Sequence, residues 1–455
     1  MVDQTGIKGI LARCPKPLQR LLGQVIGADG GHARSGLSAV AAFLIRASSA
    51  GVLVLVQILL ARWLGAAGFG IYATAMVWVT VFGTLATLGL ASSVVRFLPG
   101  FRERREFGAF LGFLRTGHLT AFVAGCGLAG CGLTALWLWP GAVEPHLLWP
   151  LRWALMCLPA FAVTDFQDGA GRAQGWIGVA LLPPYVLRPL LILLLSGMAA
   201  LAGFPATAAA AMVAALIAMW LTAFAQYLWL KWRLAAVAPP EPKIFAARAW
   251  VGASLPFLLL EALQLAMLNL DVLALNLFVA PAEIGVYFAA GRIISLIGFI
   301  HFAVTAVAMP RFAALEASGR RADILPFLHL TQTWTFIPSL IGAAILIAIG
   351  KPVLALFGAG FAEAYPLMYV LALGLIMRSL AGPAQSLLMA AGHQRSANLI
   401  VLAAVAVAGI LHLLLIPIFG PLGAAIGMAA ALGIEAFGTL AVVHRLFGRR
   451  QDAPA

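Results

Sequence analysis

Four arginines lie well inside runs of apolar residues: Arg46, Arg188, Arg292 and Arg378. A guanidinium is a planar, permanently charged fork of N–H donors, suited to gripping the oxygens of an anion in pairs. At bilayer depth such a charge costs about 2.5–3.5 kcal/mol on insertion scales, so each must meet a partner group or a wet cavity. Arg46 lies about 12 Å into its run at 1.5 Å per residue. Gln57 returns to nearly the same face, with Ser49 beside it, which makes a polar stripe ill suited to facing lipid. Glu261 and Asp271 fall in one angular sector of a later run together with Gln264, and Arg292 and Ser295 are i,i+3 neighbours. A carboxylate in a low dielectric can exchange its charge partner, so Glu261 and Asp271 are candidates to bind a coupling H⁺ or Na⁺. They could equally serve to neutralise Arg292 or Arg46. For each arginine the structural alternative is a dedicated carboxylate or a helix-end carbonyl. Glu435, His301 and His412 read as packing or satisfied polar positions.

The elements that position these groups follow from composition. Of 455 residues, 63% are hydrophobic and 10% charged. Soluble domains average about 45–50% apolar and about 25% charged, so a water-soluble protein of this size could not cover its surface. The fold class expected is all-α and polytopic, with about twelve spanning helices. Clusters of Pro, Gly and charge delimit spans near 37–61, 70–95, 110–138, 147–166, 177–200 and 206–230. The second set is near 254–279, 284–309, 327–349, 366–390, 397–417 and 422–443. The third is long enough to be tilted or broken near 125–132. Alternate loops divide the basic residues unevenly: 21 of the 29 Lys and Arg fall on one side, and only Arg62 and Lys351 on the other. That bias predicts both chain ends in the cytoplasm. The resulting organisation is a basic segment 1–36, a six-helix bundle 37–230, a connector 231–250, a second bundle 251–445 and a tail 446–455.

The net charge of +13 does not indicate nucleic acid, because the basic residues are spread over many short loops. Arg102-Glu-Arg104-Arg105 is explained by topology and anionic lipid. Gly125-Cys-Gly127-Leu-Ala-Gly130 satisfies a dinucleotide-type glycine pattern, but no strand precedes it, and small residues there suit close helix packing. The four cysteines, Cys14, Cys126, Cys131 and Cys157, form no CxxC pair or Cys/His cluster. No metal site, disulfide framework or cofactor is expected. The first 36 residues lack the apolar core of a cleavable signal. Leu18, Leu21, Leu22, Val25 and Ile26 suggest a surface amphipathic helix, with an unstructured tail as the equal alternative.

Residues 64–72 read LGAAGFGIY and residues 279–287 read VAPAEIGVY, an offset of 215 residues. Each opens the second helix of a half, and the Pro-rich connector separates the halves. An even helix count per half makes this a parallel repeat, a transporter layout with the substrate site between the halves.

These motifs, with 58–100 (ILLARWLGAAGFGIYATAMVWVTVFGTLATLGLASSVVRFLPG), NLDVLALNLF and IGVYFAAGRI within 269–293, 356–361 (LFGAGF) and 418–424 (IFGPLGA), resemble the polysaccharide transporter, or oligosaccharide flippase, family. That family shares a superfamily with multidrug and toxic compound extrusion transporters and the lipid II flippase. The resemblance runs from about residue 37 to 445. It implies two six-helix repeats around a central cavity and movement of a polyprenyl-diphosphate-linked oligosaccharide from the inner to the outer leaflet of a bacterial inner membrane. Such cargo feeds O-antigen, capsule or exopolysaccharide assembly, with a glycan polymerase or ligase downstream. Under that reading Arg46, Gln57, Arg188, Arg292 and Arg378 line the cavity, and guanidinium groups replace the hydration of the diphosphate. The chain lacks the extra helix pair associated with the lipid II flippase. A cation-coupled drug or metabolite antiporter is the alternative within the superfamily. It favours an acidic cavity, whereas arginines outnumber carboxylates inside these spans. A membrane enzyme of glycan assembly needs acid/base or nucleophilic groups, and the longest outer loop, about 350–365, holds one Lys, one Glu and no His.

Overall fold

The computed structural model describes residues 30–239 and 241–448, with side chains from Ser48 to Phe447 apart from Ala142. The expected N-terminal amphipathic segment and the Arg46 side chain lie outside the described residues. With no water in a bilayer core to satisfy N–H and C=O groups, a chain this apolar pairs its backbone within each segment, as helix. Among the described residues there is no strand. Among the described residues, eleven stretches are long and apolar enough to cross a membrane, and the first, Ser48–Glu103, is two crossings joined at Gly65. Gly65 has φ 68° and ψ 174°, a conformation that glycine adopts without a Cβ clash.

The crossings are α1 (30–64), α2 (66–103), α3 (Phe107–Leu138), α4 (Pro145–Ala173), α5 (Ile177–Leu201), α6 (Ala208–Ala235), α7 (Ala247–Leu275), α8 (Pro281–Ala317), α9 (Arg321–Ala348), α10 (Phe361–Ala381), α11 (Gln394–Phe419) and α12 (Pro421–Phe447). The helices overrun the apolar runs at several ends. The 231–250 connector shortens to 236–246, because α6 continues to Ala235 and α7 begins at Ala247. The tenth span ends early: Gly382 (φ 54°) and Pro383 break it, and Ala384–Ala390 forms a separate short helix. Of the two possibilities for the third span, tilted or broken, α3 is not broken: it runs as one helix through 125–132. Gly125 instead lets α3 approach the Pro159 backbone of α4, and Gly132 makes room for Leu155.

The halves repeat one packing scheme. α4 packs on α2, α3 and α6, and α5 on α6; correspondingly α10 packs on α8, α9 and α12, and α11 on α12. Between halves, α1 and α2 meet α7 and α8. The matched repeat motifs form the tightest crossing of that seam, near one end of α2 and α8. A Cβ on Gly70 would lie 1.8 Å from the Pro281 carbonyl oxygen, and one on Gly285 would lie 2.2 Å from that of Ala66. Both pairs obey the 215-residue offset, so the crossing is reciprocal. Two helices reach this distance only where neither carries a side chain. Phe69 packs beside it against Phe288, Phe357 and Phe361, with ring centroids 5.9, 6.3 and 6.0 Å away. The long loop after α9 therefore folds back over the seam, through the short helix Gly350–Ala355 and the turn Phe361–Ala364.

Burial falls away from that crossing. In α8 the first half buries Ile284, Gly285, Tyr287, Phe288, Ala289, Ala290, Ile293 and Ile294, whereas 298–317 buries only Ala308, Phe312 and Leu315. α7 follows the same trend, with only Trp250 and Ser254 buried in its first turns.

The connector is docked on α3. The Ile244 N–H donates to the Gly108 carbonyl at 3.0 Å, and Glu241 Oε2 accepts from the Gly108 N–H at 2.9 Å. A Cβ at Gly112 would sit 1.8 Å from the Ile244 carbonyl oxygen. Gly112→Val should therefore release the connector while leaving the helices in place. Limited proteolysis of the detergent-purified protein checks this: cleavage within 236–246 should accelerate about tenfold or more, the order implied by an overpacking cost of about 1–3 kcal/mol.

Candidate functional site

Arg188 follows a break in α5. Pro183 and Pro184 lack N–H groups, residues 183–187 widen into a π-turn, and the Arg188 N–H donates to the Pro183 carbonyl. Its guanidinium lies 5.1 Å from the Phe161 ring centroid of α4. In the other half, the Arg292 guanidinium lies 4.5 Å from the Phe288 ring of its own helix. Aromatic faces hold cations through the ring quadrupole. Tyr72 of α2, buried in the seam, lies within electrostatic range of both arginines. Arg188 and Arg292 are each about 16 Å along the helix from the first residue of α5 and α8. The seam thus joins one cation from each half around one phenol.

Asp271 sits on the Gly70 side of this pair. Its Oδ2 accepts from Tyr287 Oη at 2.6 Å, and Oδ1 accepts from the Val272 N–H at 2.8 Å. Arg292 and His412 both face it electrostatically, and His412 Nε2 lies 3.3 Å from the Ala424 carbonyl oxygen. Asp271 thus faces Arg292 and ties α7 to α8 through Tyr287. Tyr287→Phe leaves a buried carboxylate short of a donor and should destabilise the protein by about 1–3 kcal/mol. Thermal unfolding in detergent, with Tyr369→Phe on the exposed face as control, measures the loss.

Toward the connector side the seam turns acidic. The Ser92 hydroxyl of α2 donates to Glu261 Oε1 of α7, while Glu261 Oε2 is buried with no hydrogen-bond partner. Ser93 and Ser254 hydroxyls meet at 2.6 Å beside them. Asp165 of α4 accepts a hydrogen bond from Thr84 and faces Glu261, Asp168 and Arg172. Arg172 Nη2 pairs with Asp168 Oδ2 at 3.2 Å. Arg188 also faces Asp165, so the charged groups of the seam run from Asp271 and Arg292 through Arg188 to the carboxylates and Arg172. Tyr72, Asp165, Asp168 and Arg172 are not among the site residues that the sequence alone suggests. A helical signal existed: Phe161, Asp165, Asp168 and Arg172 recur at i+4, i+3 and i+4, one stripe of α4.

The other expected residues are placed differently. Gln57 is buried with Oε1 lacking a hydrogen-bond partner, and Gln264 is exposed. Arg378 Nε lies 3.5 Å from Glu435 Oε2 of α12, and His301 faces it. It has a dedicated counter-ion within the second half rather than a place beside Arg188. Among the described residues, no group of three His, Cys, Asp or Glu is arranged to hold a metal ion.

Residues 38–123, covering α1, α2 and half of α3, match the family model described as "Polysaccharide biosynthesis protein". No curated protein matches the chain. Several solved structures share its architecture. An inward-facing multidrug resistance transporter of the MATE family, MOP superfamily, superposes with a TM-score of 0.69 at 15% identity, covering 92% of this chain and 99% of the other. The lipid II flippase MurJ in an inward closed conformation gives 0.72 at 13% identity over 89% of this chain and 87% of that one. A MOP superfamily transporter from Pyrococcus furiosus, described as having a binding pocket of reversed polarity, gives 0.62 at 14% identity, with 90% and 96% covered. The chain is a multi-pass membrane protein with the fold of MOP superfamily transporters, and its opening helices carry the polysaccharide biosynthesis match.

Proposed function

We propose that this protein flips a polyprenyl-diphosphate-linked oligosaccharide from the cytoplasmic to the outer leaflet of a bacterial inner membrane. The two halves alternate access to a site at the seam. The observation that carries the reading is the convergence of Arg188 and Arg292, one from each half, on Tyr72 in the seam. A diphosphate leaving water needs charged, bidentate donors, and two guanidinium groups supply them. Phe161 and Phe288 orient those groups, and neither guanidinium forms an ion pair within 4 Å among the described residues. The thinning of burial along α7 and α8 supports an approach from the connector side, and the basic loops support placing that side in the cytoplasm. The polysaccharide biosynthesis match at 38–123 points the same way. The product would pass to a glycan polymerase or ligase in the outer leaflet, and no residue is assigned a catalytic role.

Leaflet-resolved detection of lipid-linked glycan tests the proposal. A deletion strain should accumulate it on the cytoplasmic face, the wild-type gene should clear it, and accumulation on neither face would end the reading.

A second reading is a cation-coupled drug or metabolite antiporter, favoured by the carboxylates Asp165, Asp168 and Glu261 on the same seam. Under the flippase reading Glu261 and Asp271 bind the coupling H⁺ or Na⁺. Glu261 is the better placed, because one of its oxygens is buried and unpartnered. Collapsing proton and sodium gradients in turn should slow glycan flipping for one ion only, and Glu261→Gln should remove that dependence. Gradient-driven efflux of a lipophilic cation, abolished by Glu261→Gln but not by Arg292→Gln, would favour the antiporter.

A further inference from the structure

A cavity of about 800 Å³ lies between α3 and the docked connector, lined by Arg115, Thr116, Leu119 and Thr120 on the helix and by Lys243 and Phe245 on the connector. It is separate from the seam. Arg115 and Lys243 are exposed, and neither forms an ion pair among the described residues. Glu241 also borders the cavity, but its carboxylate is committed to the Gly108 N–H at the start of α3. There the helix dipole offsets part of its charge.

Depth fixes the environment. α3 has 32 residues and spans about 48 Å at 1.5 Å per residue, against a hydrocarbon layer of about 30 Å. About 9 Å therefore projects at each end, and Arg115, about 12 Å from the start of α3, lies at the boundary between headgroups and chains. Below it Leu119 and Phe122 continue the same exposed face at i+4 and i+7, being 60% and 40% accessible. Two uncompensated cations and two threonine hydroxyls thus stand above an apolar track running toward the bilayer centre.

We propose that this crevice binds one anionic phospholipid of the surrounding leaflet. The phosphate sits between Arg115 and Lys243 with the Thr116 and Thr120 hydroxyls at hand, and an acyl chain lies along Leu119 and Phe122. The charge is complementary, and the ligand's polar and apolar ends match the order of the lining. Because Arg115 belongs to the first half and Lys243 to the connector, the bound lipid tethers the link between halves. It does so whatever cargo the seam carries.

The test uses the full chain in nanodiscs, with phosphatidylglycerol titrated into phosphatidylcholine and retained lipid counted by native mass spectrometry after detergent release. Wild type should retain one phosphatidylglycerol. Arg115→Gln/Lys243→Gln should weaken retention about tenfold or more, the order for two basic contacts at a membrane surface. Arg115→Lys/Lys243→Arg should restore it. Inorganic phosphate at millimolar concentration should not compete. Equal retention by the glutamine variant overturns the proposal, as does an equal loss from Lys231→Gln/Arg233→Gln on the neighbouring helix end. Full displacement by inorganic phosphate likewise overturns it, since it would mark a free-anion site.

Discussion

Gly70→Ala and Gly285→Ala should each prevent the halves from closing on one another, and the double variant should yield little folded protein. The added Cβ atoms would lie 1.8 Å and 2.2 Å from carbonyl oxygens of the opposing helix. Neither the acceptor nor its helix can rotate away as a flexible side chain could, so the helices must part by more than 1 Å. Overpacking costs about 1–3 kcal/mol where neighbours can adjust and more where they cannot. Against a total stability of about 5–15 kcal/mol, two such insertions at one crossing take a large share. Gly127→Ala is the matched control, because nothing lies within 4 Å of its Cβ position. Monodispersity and thermal unfolding in detergent measure the effect. Wild-type stability in both single variants would show that the close crossing is not what joins the halves.

Arg292→Gln and Arg188→Gln should each lower the flipping rate about 10–100-fold with normal membrane insertion. Charge-assisted hydrogen bonds contribute about 1.5–3 kcal/mol each, and that energy divided by RT gives the stated range. Lysine at either position should rescue only in part, because an ammonium cannot present two parallel donors to a phosphate. The double variant should lose less than the product of the single effects, since both arginines would serve one anion. The Arg378→Gln change should act through stability instead, because it strands Glu435 without its counter-ion. Proteoliposomes with leaflet-specific quenching of a labelled lipid-linked glycan separate these outcomes. Full activity of Arg188→Gln/Arg292→Gln in that assay would remove the seam from the transport path.

Much of the architecture is legible in the chain because a bilayer leaves few solutions. Twelve apolar runs, the Pro-rich connector and the alternation of basic loops follow from hydrophobicity and charge alone. The repeat is readable too, and the structure gives Gly70 and Gly285 a shared purpose that nine aligned positions, three of them identical, do not convey. The site was less legible. Angular arithmetic along one helix pairs residues on that helix but says nothing about which other helix they meet. Asp165 and Glu261, or Tyr72 and Arg292, come together only across the seam. Arg378 looked equivalent to Arg188 in sequence, since both interrupt apolar runs near their middles. What distinguishes them is Glu435, 57 residues further on. The connector's docking was invisible for a related reason: Gly108 and Gly112 have the spacing of a helix-packing motif, yet they receive an extended segment.

The reciprocal glycine crossing lies near one end of long rods, and this gives the molecule mechanical leverage. From Gly285 to Ala317 is about 48 Å of helix at 1.5 Å per residue. A tilt of about ten degrees about that fulcrum would sweep the far tip through about 8 Å, enough to admit or shut out a sugar-sized group, while the atoms at the pivot move by fractions of an ångström. Tight contact at one point and wide excursion at the other are then two aspects of a single rigid-body rotation.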